Sequence, residues 1–186
     1  MNLRNNYLTK ITGVLFLTIA ATLGVHEGRS LDAYKDSAGV VTICDGDTSN
    51  VKMGDKATPA QCDERLRKAV AKHAGGLKGL PMGLPDVVVL GSFDASYNIG
   101  EYGFLASTTY KHLLLRDYAA AGKAILKFKY LTIKVDGKTV KYDCSQLVKG
   151  APNKVCYGLW LRRQWEAKAI GNEFATVQEA LAALPR

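Results

Sequence analysis

A chain of 186 residues with 47% hydrophobic and 23% charged content has the make-up of a folded globular protein, which excludes disorder as its dominant state. Its net charge of +8 suits a polyanionic partner: nucleic acid, anionic lipid or a bacterial wall polymer. The basic residues are dispersed and no helix-turn-helix or RRM-type signature accompanies them, which argues against nucleic acid.

The chain begins with an apolar segment. Ile11 to Val25 runs for 15 residues without a charge and follows Arg4 and Lys10. That length and basic flank fit a secretory h-region, or a short spanning helix with its N-terminus inside. Gly13, Gly24, Ala20, Ala21, Thr9, Thr12, Thr18 and Thr22 dilute its apolarity, so such a helix would sit weakly in lipid. It reads either as a signal peptide cut near Ala21 or as an uncleaved anchor that later leaves the bilayer. The second is preferred, because Glu27 follows almost at once and an anchor would hold that carboxylate against the membrane, away from its working position. Residues 1–26 are therefore assigned as the membrane segment and residues 27–186 as one folded domain. The segment carries two positive charges and no acid, leaving +6 on the body.

Residues 27–35 read as a short helix with Leu31 and Tyr34 on its inner face, broken by Gly39. Val40–Cys44 is β-rich and Asp45-Gly46-Asp47 is a turn signal, predicting a hairpin or three-stranded sheet over 38–56. Thr58-Pro59-Ala60-Gln61 opens a helix with an N-cap, an N1 proline and a capping-box glutamine. Leu66, Ala69, Val70, His73 and Leu77 recur at helical spacing, and Gly75-Gly76 is the stop. Pro85 opens an apolar helix reaching Asn98, and another helical stretch starts near Ser107 or Thr108.

Tyr130–Asp143 alternates apolar and polar residues around Asp136-Gly137, predicting a β-hairpin with one solvated, lysine-bearing face. Helix returns over Gly158–Ile170. Thr176-Val177-Gln178-Glu179 is a second capping box, starting a last helix to Leu184. The sum is an α+β domain: a small β element near the N-terminus, then a mainly helical lobe, with an active-site cleft between them.

The four cysteines, Cys44, Cys62, Cys144 and Cys156, contain no C-x-x-C pair, and His26, His73 and His112 are scattered. No metal site is expected, and no motif implies a cofactor. An even count in an exported chain reads as two disulfides. Of the three pairings, Cys44–Cys62 and Cys144–Cys156 are favoured because each closes a short local loop; four reduced, buried thiols are the alternative.

The chemistry centres on Glu27, Asp36 and Thr42, the pattern E-x8-D-x5-T. It places two carboxylates and a hydroxyl on either side of a turn. A carboxyl pair in a cleft is the minimum equipment for cleaving a glycosidic bond. Singly, Glu27 could be a first-turn helix glutamate, Asp36 a turn residue and Thr42 a strand threonine. Their joint spacing points to catalysis.

The segments Glu27–Asp36 and Gly39–Cys44, the stretch Ser92-Phe93-Asp94-Ala95-Ser96-Tyr97-Asn98-Ile99-Gly100, and Gly158-Leu159-x-x-Arg162-Arg163-x-x-Glu166 together resemble the phage muramidase endolysins of glycoside hydrolase family 24. They occur in the family's order and span nearly all of residues 27–186. The resemblance implies a lysozyme-like fold. It implies hydrolysis of the β-1,4 bond between N-acetylmuramic acid and N-acetylglucosamine of peptidoglycan. The weak N-terminal anchor looks like the signal-arrest-release segment of a subgroup of these enzymes. That subgroup is exported by the host secretion machinery, held inactive at the inner membrane, and freed into the periplasm as a monomer when a holin-type protein collapses the potential.

On this reading Glu27 is the general acid, which requires a carboxyl still protonated near neutral pH. Asp36, ionised, stabilises the oxocarbenium-like transition state and orients a water that Thr42 holds. A water-activating arrangement predicts inversion, with carboxyls about 6.5–9.5 Å apart. Tyr97 and Asn98 are candidates to line the sugar groove, and Arg162 and Arg163 to reach Glu27 or the glycan; core packing for the first pair and a solvated helix face for the second are the plain alternatives. Trp160 and Trp165 read as core.

Three features depart from the family. Asp47 stands where many relatives carry a histidine, a change that could move the pH optimum. The 130–143 hairpin looks like an insertion. The anchor holds no cysteine, which argues against activation by thiol exchange. The rival readings are a catalytically silent, basic wall-binding protein and a lytic transglycosylase. Asp36 and Thr42 argue against both.

Overall fold

The structure is a computed structural model that describes Thr22, residues 29–36 and residues 39–185. Glu27 and, Thr22 aside, the apolar segment lie outside the described residues. Among the described residues, no helix is long and apolar enough to cross a membrane.

Strand β1 (Ser30–Lys35) pairs antiparallel with β2 (Val41–Cys44). This corrects the expected helix over 27–35. Leu31 and Tyr34 do have helical spacing, but the backbone of Ser30–Lys35 is held from both sides. Beyond the ladder to β2, Ala33 N donates to Asp55 O and Ala57 N to Leu31 O, at 2.9 and 2.8 Å. Leu31 is exposed rather than inward-facing. Of the hairpin or three-stranded sheet expected over 38–56, β2 is the one strand formed within that span among the described residues, and its partner β1 comes from upstream. Gly39 sits in the connecting turn at φ +81°, a conformation glycine adopts without steric cost.

Helix α1 (Pro59–His73) starts as its sequence dictates. Thr58 N donates to Gln61 Oε1 at 2.7 Å and Gln61 N to Thr58 Oγ1 at 3.3 Å, the reciprocal bonds of a capping box. A 3-10 turn, Ala74–Leu77, ends it at the glycine pair. Helix α2 (Asp86–Ile99) is the centre of the domain: every residue from Val87 to Ser96 is buried, the mark of a helix covered on all sides.

Helix α3 (Glu101–Leu105) packs on it, and α4 (Thr108–Leu114) packs on α5 (Tyr118–Ile125). Helix α6 (Tyr157–Ile170) makes the most extensive contact with α2, and α7 (Val177–Ala182) closes the domain. The α2–α6 approach depends on Gly91, where a Cβ would meet that of Ala169 at 2.7 Å. Trp165 belongs to this core, its indole N–H donating to Ala180 O at 2.8 Å. In the second capping box Glu179 N donates to Thr176 Oγ1, while the Glu179 carboxylate reaches back to the amide of Ala175.

Between α5 and α6 lie β3 (Tyr130–Val135) and β4 (Lys138–Asp143), paired around Asp136-Gly137, both at positive φ as a type I′ turn requires. A second, two-residue hairpin follows, β5 (Leu147–Val148) and β6 (Ala151–Pro152). Both favoured disulfides are formed: Cys44–Cys62 ties β2 to α1, and Cys144–Cys156 ties the end of β4 to the start of α6. The architecture is α+β, with the small sheet packed on the front of a helical lobe.

Candidate active site

The β1–β2 turn brings Asp36 and Thr42 together around one residue. The Asp36 carboxylate accepts the Val40 amide at 2.8 Å, while the Asp36 amide donates to Val40 O at 2.9 Å. The Thr42 hydroxyl donates to the same Val40 carbonyl at 3.0 Å. Thr42 is buried and Asp36 half-buried. Each hydroxyl keeps lone pairs that can accept from a water while it donates elsewhere.

Arg29, two residues on from Glu27, is fixed at the other end of β1. Its guanidinium grips the buried Asp45 carboxylate through Nε and Nη2, at 2.9 and 2.8 Å, and reaches Asp63 on α1 at 2.9 Å. These two acids hold the Arg29 charge well above its ordinary range, with Asp45 the larger influence. Sequence reading took Asp45 only as a turn residue and gave Arg29 no role. The missing signal was the distance along the chain to its partners.

Tyr97, on the last turn of α2, donates to Asp45 O at 3.4 Å and stacks on Phe93. It borders an open groove of about 650 Å³ between residues 46–57 and α1, whose polar walls include Asp47, Gln61, Glu64 and Arg65. Asp47 pairs with Arg65 at 2.6 Å and accepts from Ser49 N at 2.8 Å. Those bonds outweigh its partial burial and hold its carboxyl below the ordinary range.

Asn98 and Arg163 border a second cavity, of about 460 Å³, on the other side of the same helix end. Arg162 and Arg163 are not on a solvated face, as a pair of helical arginines suggests; both are buried. Arg162 makes a two-point ion pair with Asp94, both bonds at 3.0 Å. Arg163 bonds to Glu166 and to Asn98. Burial raises the Glu166 carboxyl, Arg163 pulls the other way, and the Asp94 charge raises it further. The late arginines thus brace the α2 helix end that carries Tyr97 and Asn98. Among the described residues no cluster of side chains could hold a metal ion.

Compared with known proteins, residues 24–166 match the phage lysozyme family model. The chain is 38% identical over 153 residues to a SAR-endolysin of Escherichia phage N15, covering 78% of this chain and 79% of that one. Its fold is similar to that of an endolysin from Escherichia coli O157:H7 phage FAHEc1, with a TM-score of 0.66, 26% identity, and coverage of 86% and 93% of the two chains. A P22 lysozyme mutant gives a TM-score of 0.60 at 26% identity, covering 83% and 94%. The fold is lysozyme-like. The chain belongs to the phage lysozyme family and is a glycoside hydrolase of lysozyme type.

Proposed function

We propose that this protein is an endolysin hydrolysing the β-1,4 bond between N-acetylmuramic acid and N-acetylglucosamine of peptidoglycan, with Glu27 as general acid and Asp36 and Thr42 serving the attacking water. The observation that carries the reading is the convergence of Asp36 and Thr42 on Val40. Two polar side chains fixed on the backbone of one residue are preorganised for a small molecule beside them. Arg29 supports the role of Glu27, since two residues of chain reach at most about 7 Å and Arg29 is anchored to the β2 turn and α1 alike.

Glu27 and Asp36 divide the work as acid and base. The glycosidic oxygen leaves with a proton from Glu27, and the water loses one to Asp36 as its oxygen bonds to the anomeric carbon. Tyr97 faces the glycan from the groove it borders, while Asn98, held by Arg163, serves the helix end with Arg162, which holds α2 through Asp94. Residues 1–26 act as an uncleaved anchor at the host inner membrane. The enzyme domain, residues 27–186, then works in the periplasm once a holin-type partner has depolarised the membrane.

The test is Glu27→Gln with purified cell walls. Loss of lysis with an unchanged melting transition supports the assignment, and undiminished lysis overturns it. Product mass separates hydrolysis from the transglycosylase reading, which yields an anhydro sugar. A full-length mass for the protein released from depolarised cells supports the anchor; a product about 20 residues shorter, active without depolarisation, replaces it with a signal peptide.

A further inference from the structure

The loop between Cys144 and Cys156 serves neither the core nor the candidate site. Among the described residues, its side chains Leu147, Val148 and Val155 are 55%, 60% and 48% exposed. Large apolar side chains at that exposure are ordinary singly, but clusters mark a contact surface. Here one disulfide-closed loop carries all three. Leu147 pairs with Pro152 and Val148 with Ala151 in the β5–β6 hairpin, whose turn, Lys149-Gly150, has both residues at positive φ. The Asn153 side chain donates to the carbonyls of Cys144 and Gln146 and accepts the amide of Cys156, and the disulfide shuts the loop beside Val155. The tip is a small, closed platform rather than a loose strand.

Its charge is one-sided. Residues 144–156 contain Lys149 and Lys154, both exposed, and no acid. Over residues 127–156 there are seven lysines against Asp136 and Asp143, a net +5 out of +8 for the whole chain. Asp143 is taken up internally by Lys129 at 2.8 Å. Of the remaining cations, Lys149 follows Val148 and Lys154 precedes Val155 in the chain, so both flank the aliphatic tip.

We propose that this loop is a membrane-surface contact, seating Leu147, Val148 and Val155 at the headgroup–acyl boundary of an anionic bilayer with Lys149 and Lys154 on lipid phosphates. Aliphatic side chains ringed by lysine are the composition of interfacial membrane segments. A polysaccharide offers branched aliphatic groups nothing comparable, since sugars are bound through aromatic faces and hydrogen bonds. The lysines make the contact selective for anionic lipid, and the surrounding basic segment extends the attraction over about a Debye length. This contact is separate from the N-terminal segment and does not depend on the muramidase reading.

The test places a reporter in the tip of the full-length protein. Val148→Trp is mixed with vesicles of phosphatidylethanolamine and brominated phosphatidylglycerol, and its tryptophan emission is compared with that of the unsubstituted chain, which reports Trp160 and Trp165 alone. The expected result is an extra, blue-shifted emission quenched by the brominated lipid, absent on phosphatidylcholine vesicles. Adding Lys149→Glu and Lys154→Glu should weaken it at least tenfold. Emission from the tip that stays unquenched while the protein binds vesicles, or quenching indifferent to lipid charge, overturns the proposal. So does a charge-reversed variant that loses binding to purified sacculi while keeping its lipid contact, which would make the loop a wall-binding element. Unchanged circular dichroism of each variant shows that the fold is retained.

Discussion

Asp36 and Thr42 hold the same residue from opposite sides: the carboxylate takes the amide of Val40 and the hydroxyl gives to its carbonyl. The relationship crosses the β1–β2 turn, so the local geometry of these two short side chains is set by the backbone N–H and C=O of one residue. It also separates their contributions to folding from those to chemistry.

Thr42→Ala should remove one ordinary hydrogen bond, costing about 1 kcal/mol. Asp36→Asn, which keeps an acceptor for the Val40 amide, should be close to neutral in stability yet lower kcat by about 10²–10⁴-fold as a proton-transfer group is lost. Urea midpoints and wall-lysis rates on the same preparations check both. A proportional fall in stability and activity would make Asp36 a turn residue only.

Arg29→Met leaves the buried Asp45 without its cation. Removing one partner of a buried pair strands the other charge, and because the Arg29 side chain is 35% exposed the expected cost is at the lower end, about 2–3 kcal/mol. If the proposed role of Glu27 holds, activity measured well below the melting temperature should fall further than stability does, since Arg29 is two residues along the chain from it.

Glu166 gives a pH signature. Its folded value is raised to about 8, first by burial and further by Asp94, against the pull of Arg163 and Arg162. With the folded value above the unfolded one, the native state binds more protons between them. The contribution to stability is therefore complete below about 4.5 and lost as pH rises toward the folded value. Urea midpoints from pH 5 to 9 should decline in the native chain and flatten in Glu166→Gln. Equal slopes in the two proteins would show that Glu166 stays ionised against its arginines.

The two disulfides should differ in consequence. Cys44 sits at φ +58° and ends the strand that carries Thr42. Cys44→Ser with Cys62→Ser should cost about 2–4 kcal/mol and reduce lysis beyond that loss. Cys144→Ser with Cys156→Ser should cost a similar amount and leave kcat on isolated walls unchanged. Melting curves and lysis rates for the two double variants distinguish these outcomes.

Much of the domain was legible where the deciding interactions are local. Thr58 and Gln61 cap each other across three residues, Asp136-Gly137 selects a turn whose twist suits its strands, and each cysteine pair closes a loop short enough to favour itself. Helix α3, only Glu101–Leu105, was missed because five residues give too little periodicity to read. Ser30–Lys35 was misread as helix for a different reason: its strand state is imposed by β2 and by residues 55–57, and nothing within the segment announces partners on both edges.

The sequence by itself determined the class of this protein, its capped helices, its hairpin at 130–143 and the spacing of Glu27, Asp36 and Thr42, because covalent distance along the chain carries all of these. Only the tertiary structure decided that Arg29 would be clamped by Asp45 and Asp63, 16 and 34 residues away, and that Arg162 would be buried on Asp94, 68 residues away. A charged side chain chooses between solvent and a buried partner by the desolvation it suffers, and that quantity does not exist until the helices have packed.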